Sequence, residues 1–210
     1  VYWAMEATAG AHDTVIVDVA AAVRAGNQPT SGPQIPGSQL VGKASPTSPG
    51  AFVNSWSAIA KVGNRKAWIV GSPNYSCVYI MDLSNPGAGW TTQTPSGSGE
   101  YGVGTGAVYH APSQALLVGG IQSDGRSNAT LYKLEVPDNP FGPGYVWRTI
   151  VNNAGGVTPS VPSGEVSQYR GTFGKFRIIE DIGGGESGLV MHTSTEGPLF
   201  VYKLPRGELV

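Results

Sequence analysis

The chain lacks most of what would assign it quickly to a class. It has one cysteine, Cys77, so no intrachain disulfide framework can form and a small disulfide-stapled fold is excluded. Charged residues are only 13% of the 210 residues, about half the usual share of roughly 25%. Lys and Arg number 13 against 14 Asp and Glu, for a formal net charge of −1. That balance leaves no electrostatic footprint for a nucleic acid, and none is expected as a partner. No run of about 18 apolar residues occurs, so no helical membrane span is expected. No leader pattern precedes the first apolar run, which starts at Val1. The chain therefore reads as a piece processed or excised from something longer.

What is present is turn-forming and neutral-polar. There are 31 Gly and 16 Pro, and hydrophobic residues are 40%. Ser, Thr, Asn and Gln fill much of the remainder. A surface wetted by hydroxyls and amides rather than charges is common outside cells and on virions, so an extracellular or virion-surface location is the expectation. The length suffices for one sizeable core.

A four-strand unit recurs. Its clearest copies span residues 57–94 and 106–150. In the first, Ala67-Trp68-Ile69-Val70-Gly71 leads to Val78-Tyr79-Ile80-Met81-Asp82-Leu83 and then to Gly89-Trp90-Thr91. In the second, Ala115-Leu116-Leu117-Val118-Gly119-Gly120 leads to Leu131-Tyr132-Lys133-Leu134-Glu135-Val136 and then to Val146-Trp147-Arg148-Thr149. Self-similarity at about 50 residues with short strands predicts radially stacked four-stranded sheets, a β-propeller. Residues 1–7 and 14–19 read as the second and third strands of an incomplete first unit, with a short outer strand at 39–41. A third unit starts near Ser167, with strands at 171–179, 188–193 and 199–204. Pro205 then ends strand pairing, because proline has no N–H to donate to the ladder. The Trp-bearing fourth strand of that unit is missing.

The expected fold is thus all-β, a propeller of four-stranded antiparallel blades with about 3.5 blades in this chain. The divisions are 1–50 (incomplete first blade and a Pro/Gly/Ser-rich connection), 51–100, 101–164 (blade and connection) and 165–210 (a last blade without its outer strand). An unpaired edge on such a sheet is a liability. The missing blades could come from another chain, from another part of a precursor or from a copy of the same chain, or the ring could close compactly at four blades.

The Gly-Gly end of the second strand, the Tyr of the third and the Trp of the fourth resemble the kelch repeat. The best copy is 115–147, with Gly119-Gly120, Tyr132 and Trp147 in the diagnostic places. The first unit departs from it, with Gly71-Ser72 for the double glycine. The last has Gly183-Gly184-Gly185 in its first hairpin and no Trp. Tyr79, Tyr132, Tyr202, Trp90 and Trp147 are expected between sheets, where large half-polar side chains pack well.

The resemblance also implies an enzymatic alternative. Copper radical oxidases of the galactose oxidase kind are similar to kelch propellers in architecture. They use a Tyr followed by His, a further His, and a Tyr cross-linked to Cys. The matching residues here are Tyr109, His110, His192 and Cys77, and copper is the cofactor under that alternative alone. Otherwise no cofactor is expected. No spacing links a nucleophile, base and acid. Paired carboxylates are available at Glu180 and Asp181, or at Glu6 and Asp13, with solvated turns as the plainer account of the first pair. Asn74-Tyr75-Ser76 and Asn128-Ala129-Thr130 fit the glycosylation acceptor pattern.

Loops carry function on such a scaffold. The candidate loops are 71–76, 121–128, 137–145 and 152–164. Asp124, Arg126 and Asn128 form one polar loop tip. Phe141 and Tyr145 are the aromatics of another, placed either to stack on a sugar or to plug the loop. The expectation is a non-enzymatic module that contacts a protein or glycan. The alternatives are a secreted oxidase or glycan-active enzyme and a structural subunit of a phage tail or other surface assembly.

Overall fold

The computed structural model describes residues 5–8, 11–17, 40–44, 56–71, 76–85, 88–99, 105–121, 127–150, 176–179, 181–192 and 199–204. Among them fourteen strands form four antiparallel sheets, and the helical content is limited to 3₁₀ turns, at Ala111–Ser113 and at Ala88. The chain is all-β. Each sheet is a meander in which spatial order follows chain order.

The first sheet holds β1 (Met5–Thr8), β2 (Ala11–Val17) and β3 (Leu40–Ala44). The second holds β4 (Trp56–Val62), β5 (Arg65–Gly71), β6 (Val78–Asp82) and β7 (Trp90–Gln93). The third holds β8 (Gly106–His110), β9 (Ala115–Ile121), β10 (Ser127–Glu135) and β11 (Val146–Ile150). The fourth holds β12 (Phe176–Ile179), β13 (Ser187–His192) and β14 (Leu199–Leu204). The first sheet differs from its sequence reading. β2 begins at Ala11 rather than Thr14, because a tight hairpin pairs Thr8 with Ala11 and Ala7 with His12. Pairing recruits residues of low strand propensity once the hairpin is closed. The outer strand extends to Ala44.

Alternation shares each sheet between two neighbours. In the second sheet Ala67, Ile69, Val78 and Ile80 point one way, into a core shared with Leu116, Val118, Leu134 and Trp147 of the third. The opposite face carries Trp68, Val70, Tyr79 and Met81. In the third sheet Leu117, Leu131 and Ile150 turn away from the second sheet to meet Phe176, Leu189, Met191 and Leu204 of the fourth. The second, third and fourth sheets therefore stack face to face in chain order. Their first strands are also neighbours, with β8 lying against β4 on one side and β12 on the other.

Trp56 and Trp147 hold the second and third sheets together. Their ring centroids are 5.9 Å apart with planes at 88°, the edge-to-face geometry aromatic quadrupoles favour. Tyr132 adds a second edge contact to Trp147 at 6.4 Å. Both indoles rest on glycine. Gly71 is the cross-strand partner of Trp56, and a methyl group there would overlap the Trp56 ring. Gly99 seats Trp147 in the same way. The connection leaving β7 is tied to β11: Ser96 N–H donates to the Tyr145 carbonyl at 3.0 Å, and Trp147 N–H donates to the Ser96 carbonyl at 2.8 Å. This parallel bridge covers part of an otherwise open sheet edge.

Tyr79 and Trp147 are buried, while Tyr132, Tyr202 and Trp90 are half-buried against the same cores. Trp90 and Trp147 occupy one register position, opposite Met81 and Leu134 respectively. Gly71→Ala should lower stability by about 1–3 kcal/mol through overpacking, and Trp56→Ala by about 3–5 kcal/mol. Urea unfolding monitored by far-UV circular dichroism measures both. A Gly71→Ala effect within about 0.5 kcal/mol, the range of ordinary surface changes, would mean that the ring does not sit on this glycine.

Candidate functional site

Side chains fill the interfaces between sheets, so polar groups gather at the strand ends. The antiparallel ladders put the β8–β9 turn and the β10–β11 connection at one end of the third sheet and the β9–β10 connection at the other. The two sets of residues expected to bind a partner are separated accordingly. Phe141 and Tyr145 lie on the β10–β11 connection. Asn128 pairs with Gly120 at the start of β10, at the opposite end. Asp124 and Arg126 lie outside the described residues.

The β10–β11 connection folds back onto the core. Tyr145 is 2% exposed, and its hydroxyl donates to the Pro140 carbonyl at 2.5 Å. Burial pushes that hydroxyl well above the ordinary range of a phenol. Phe141 is half-buried against the Trp56–Trp147 core. Its carbonyl accepts from Gln93 Nε2 at 3.4 Å. Arg65 Nη1 donates to the Asp138 carbonyl at 2.9 Å, and Gln114 Nε2 donates to the Val136 carbonyl at 2.8 Å and to Asp138 Oδ1 at 3.1 Å. Tyr145 thus anchors the connection from inside, and Asp138 is the polar group left at its exposed tip. Arg65, Gln114 and Asp138 were not singled out from the sequence. They meet across long chain separations, and Gln114 adopts the left-handed region at φ 45°, a conformation with no signature in a glutamine.

The residues that match the copper-oxidase pattern do not converge. Tyr109 and His110 are adjacent on β8, so their side chains leave on opposite faces. Tyr109 packs toward the second sheet, and its hydroxyl donates to the Lys61 carbonyl at 3.0 Å. Burial raises its pKa, away from the phenolate a metal would need. His110 is buried, with Nδ1 2.7 Å from the Ser113 hydroxyl. Cys77 packs beside Val70 and Tyr79 on the far face of the second sheet. Burial pushes its thiol up, against a smaller lowering from the hydrogen bond with Tyr79. His192 sits in β13 of the fourth sheet, in register with Leu199. Spread over different faces and sheets, these residues do not fit a shared copper centre, and no step through copper is derived.

Glu180 lies outside the described residues, and Asp181 is exposed, its Oδ1 accepting from Gly183 N–H at 2.8 Å within its own turn. Glu6 and Asp13 are direct cross-strand partners. Among the described residues no cluster of three or more His, Cys, Asp or Glu is arranged to hold a metal. No described helix is long and apolar enough to cross a membrane.

One ionic cluster is well built. Glu135 Oε1 lies 3.2 Å from Lys133 Nζ and 2.7 Å from Arg148 Nε. The Lys133 side chain is only 8% exposed, so the pair removes most of the cost of burying its charge. Burial works to raise the Glu135 pKa, but hydrogen bonds and charge from Arg148 and Lys133 prevail and hold it below the ordinary 4.5. Its stabilising contribution is therefore complete above about pH 4.5 and is lost as pH falls through the lower folded-state pKa. Glu135→Gln should cost about 1–2 kcal/mol at pH 7, a figure already discounted for solvent at a carboxylate still 30% exposed. That difference should close as unfolding is repeated at progressively lower pH beneath 4.5, and a difference constant down to about pH 3 would contradict the assignment.

Comparison with family profiles, curated proteins and solved structures found no match to this chain.

Proposed function

We propose that the chain is an arc of kelch-like propeller blades that acts as a non-enzymatic contact module, binding a protein or glycan through the loops at the strand ends, in an extracellular or virion-surface assembly. The observation that carries this reading is a conjunction. Consecutive four-strand meanders pack face to face in chain order, and their first strands, β4, β8 and β12, lie side by side. Sheets arranged radially about an axis meet both conditions, because their inner strands converge while their faces pack. The shared register of Trp90 and Trp147 supports one repeated unit rather than unrelated sheets.

A contact role follows from where polarity resides. Tyr109, His110 and Tyr145, the titratable side chains of the expected sites, are engaged locally by Lys61, Ser113 and Pro140. Exposed polar groups lie at turn and loop tips such as Asp138 and Asp181 and along the outer strands, at Thr91, Thr92, Arg148 and Thr149. Dispersed groups of this kind suit recognition better than acid–base chemistry, which needs convergent groups.

The test pairs a binding screen with an activity screen. On a glycan array and against surface-protein extracts, the chain should show saturable binding that Asp124→Ala, Arg126→Ala and Asn128→Ala together reduce about tenfold without changing thermal unfolding. With copper and galactose it should release no peroxide, and His110→Ala should not change copper uptake. Peroxide release that is lost on His110→Ala would replace this reading with the oxidase.

A further inference from the structure

The large exposed hydrophobic residues among those described are Ile59, Ile179, Ile182, Leu199 and Val201. They fall at the two ends of the stack, and four of them share one surface. On the fourth sheet the register pairs Val190 with Val201 and with Arg177, and Gly188 with Ile179 and Lys203. These positions point away from the third sheet, since Leu189, Met191, Phe200 and Tyr202 point toward it. Ile182 and Val201 close over Gly188, so the face is continuous. Leu199 is 62% exposed, Val201 56% and Ile179 47%.

Register identifies what belongs on this face. Leu189 pairs with Tyr202 as Trp68 pairs with Met81 and Leu116 with Leu134. Counted from those pairs, Leu199 and Val201 correspond to Val78 and Ile80 of the second sheet and to Leu131 and Lys133 of the third. Val78 and Ile80 are fully buried by the sheet that follows. Leu131 is buried by the sheet that follows the third. The open face of the fourth sheet is therefore the seat of one more sheet, and its exposure shows that no described strand of the same copy takes it. An outward sheet face in contact with water alternates to polar residues; here Leu199, Val201 and Ile179 are exposed on a face they share with Arg177 and Lys203.

We propose that this face docks the first sheet of a second copy of the chain, so that two copies close head to tail into one ring. The proposal rests on the blade reading above. The four described sheets per copy give eight in the pair, within the roughly four to eight blades at which such rings close. A two-fold axis supplies the same contact twice and leaves neither end open. The first sheet is the other end of the series, and it lacks a described leading strand. Consistent with that gap, Ile59 on β4 is 49% exposed, whereas its counterparts Tyr109 and Ile178 pack against the sheet before them. Charge agrees as well. The docking face itself carries exposed Arg177 and Lys203, the latter 2.6 Å from Glu186, and the first sheet carries Glu6 and Asp13 as cross-strand partners.

Sedimentation equilibrium of the full chain tests this. The parent should run at twice the chain mass of 21.8 kDa. Val201→Lys and, independently, Leu199→Lys should each raise the dimer dissociation constant by about tenfold or more with unchanged circular dichroism. Both positions are more than half exposed, so neither change disturbs the core of a single copy. Arg177→Glu should weaken the dimer, and adding Glu6→Arg should restore it. A monomeric parent overturns the proposal, as does a dimer indifferent to both lysines. A dimer weakened by the lysines but not restored by the charge swap also overturns it, because the occupant is then not the first sheet. These outcomes are separable from failure of the blade reading. A monomer in which Trp56→Ala still destabilises the second and third sheets as one unit ends the docking proposal alone. Separate unfolding of those sheets ends the blade reading.

Discussion

The structure depends on how Trp147 is held. The indole stands on the last strand of the third sheet, meets the edge of Trp56 from the second, receives Tyr132 from its own sheet and lies over the bare backbone of Gly99. The backbone N–H of Trp147 donates to the Ser96 carbonyl on the connection that brings the chain from one sheet to the next. One residue thus joins two sheets through its ring and the crossover through its backbone. A buried ring of this size contributes about 3–5 kcal/mol towards the conformational cost of ordering the connection beside it. Neither indole would have room if Gly71 and Gly99 carried side chains.

A sheet with two apolar faces can be satisfied only by two neighbours. The third sheet has both, and it is the best ordered into cores on each side. The chemistry of the protein follows from that demand. With the faces consumed by packing, hydroxyl, imidazole and carboxylate groups are left at strand ends, where they bond to nearby backbone or to their own turns. Even Lys133, inside the third sheet, is neutralised by Glu135 from its own strand rather than offered to a ligand. The surface left for a partner comprises the polar loop tips, the outer strands with Thr91, Thr92, Arg148 and Thr149, and the terminal faces of the stack.

Much of the architecture was legible because period-two alternation and turn residues act locally. The runs at 67–71, 78–83, 115–120 and 131–136 were readable as strands, and the Trp of each fourth strand predicted the equivalence of Trp90 and Trp147. Trp56 was passed over. It begins a strand instead of marking its rhythm, and only the register shows that it faces Gly71. The glycine ending the second strand reads from the sequence only as part of a repeat; at Gly71 it is the seat of an indole. The aromatics of the β10–β11 connection read from the sequence as either a plug or a sugar platform, because whether Tyr145 faces water depends on Pro140 and the core beneath it. The contacts of Arg65 and Gln114 with Asp138 join positions distant in the chain, which no local pattern encodes. The residues of the copper pattern show the converse: their order in sequence matched a known set, while alternation and sheet membership sent them to different faces.

The direct test of this account is a double-mutant cycle at Trp56 and Trp147, with urea unfolding of the parent, Trp56→Leu, Trp147→Leu and the double variant. If the two sheets are clamped by these indoles, the double variant should lose about 0.5–1.5 kcal/mol less than the sum of the single losses, which is the coupling energy of the pair. Additive losses, with coupling near zero, would mean that the second and third sheets do not meet at this contact, and the stacked arrangement built on it would be wrong.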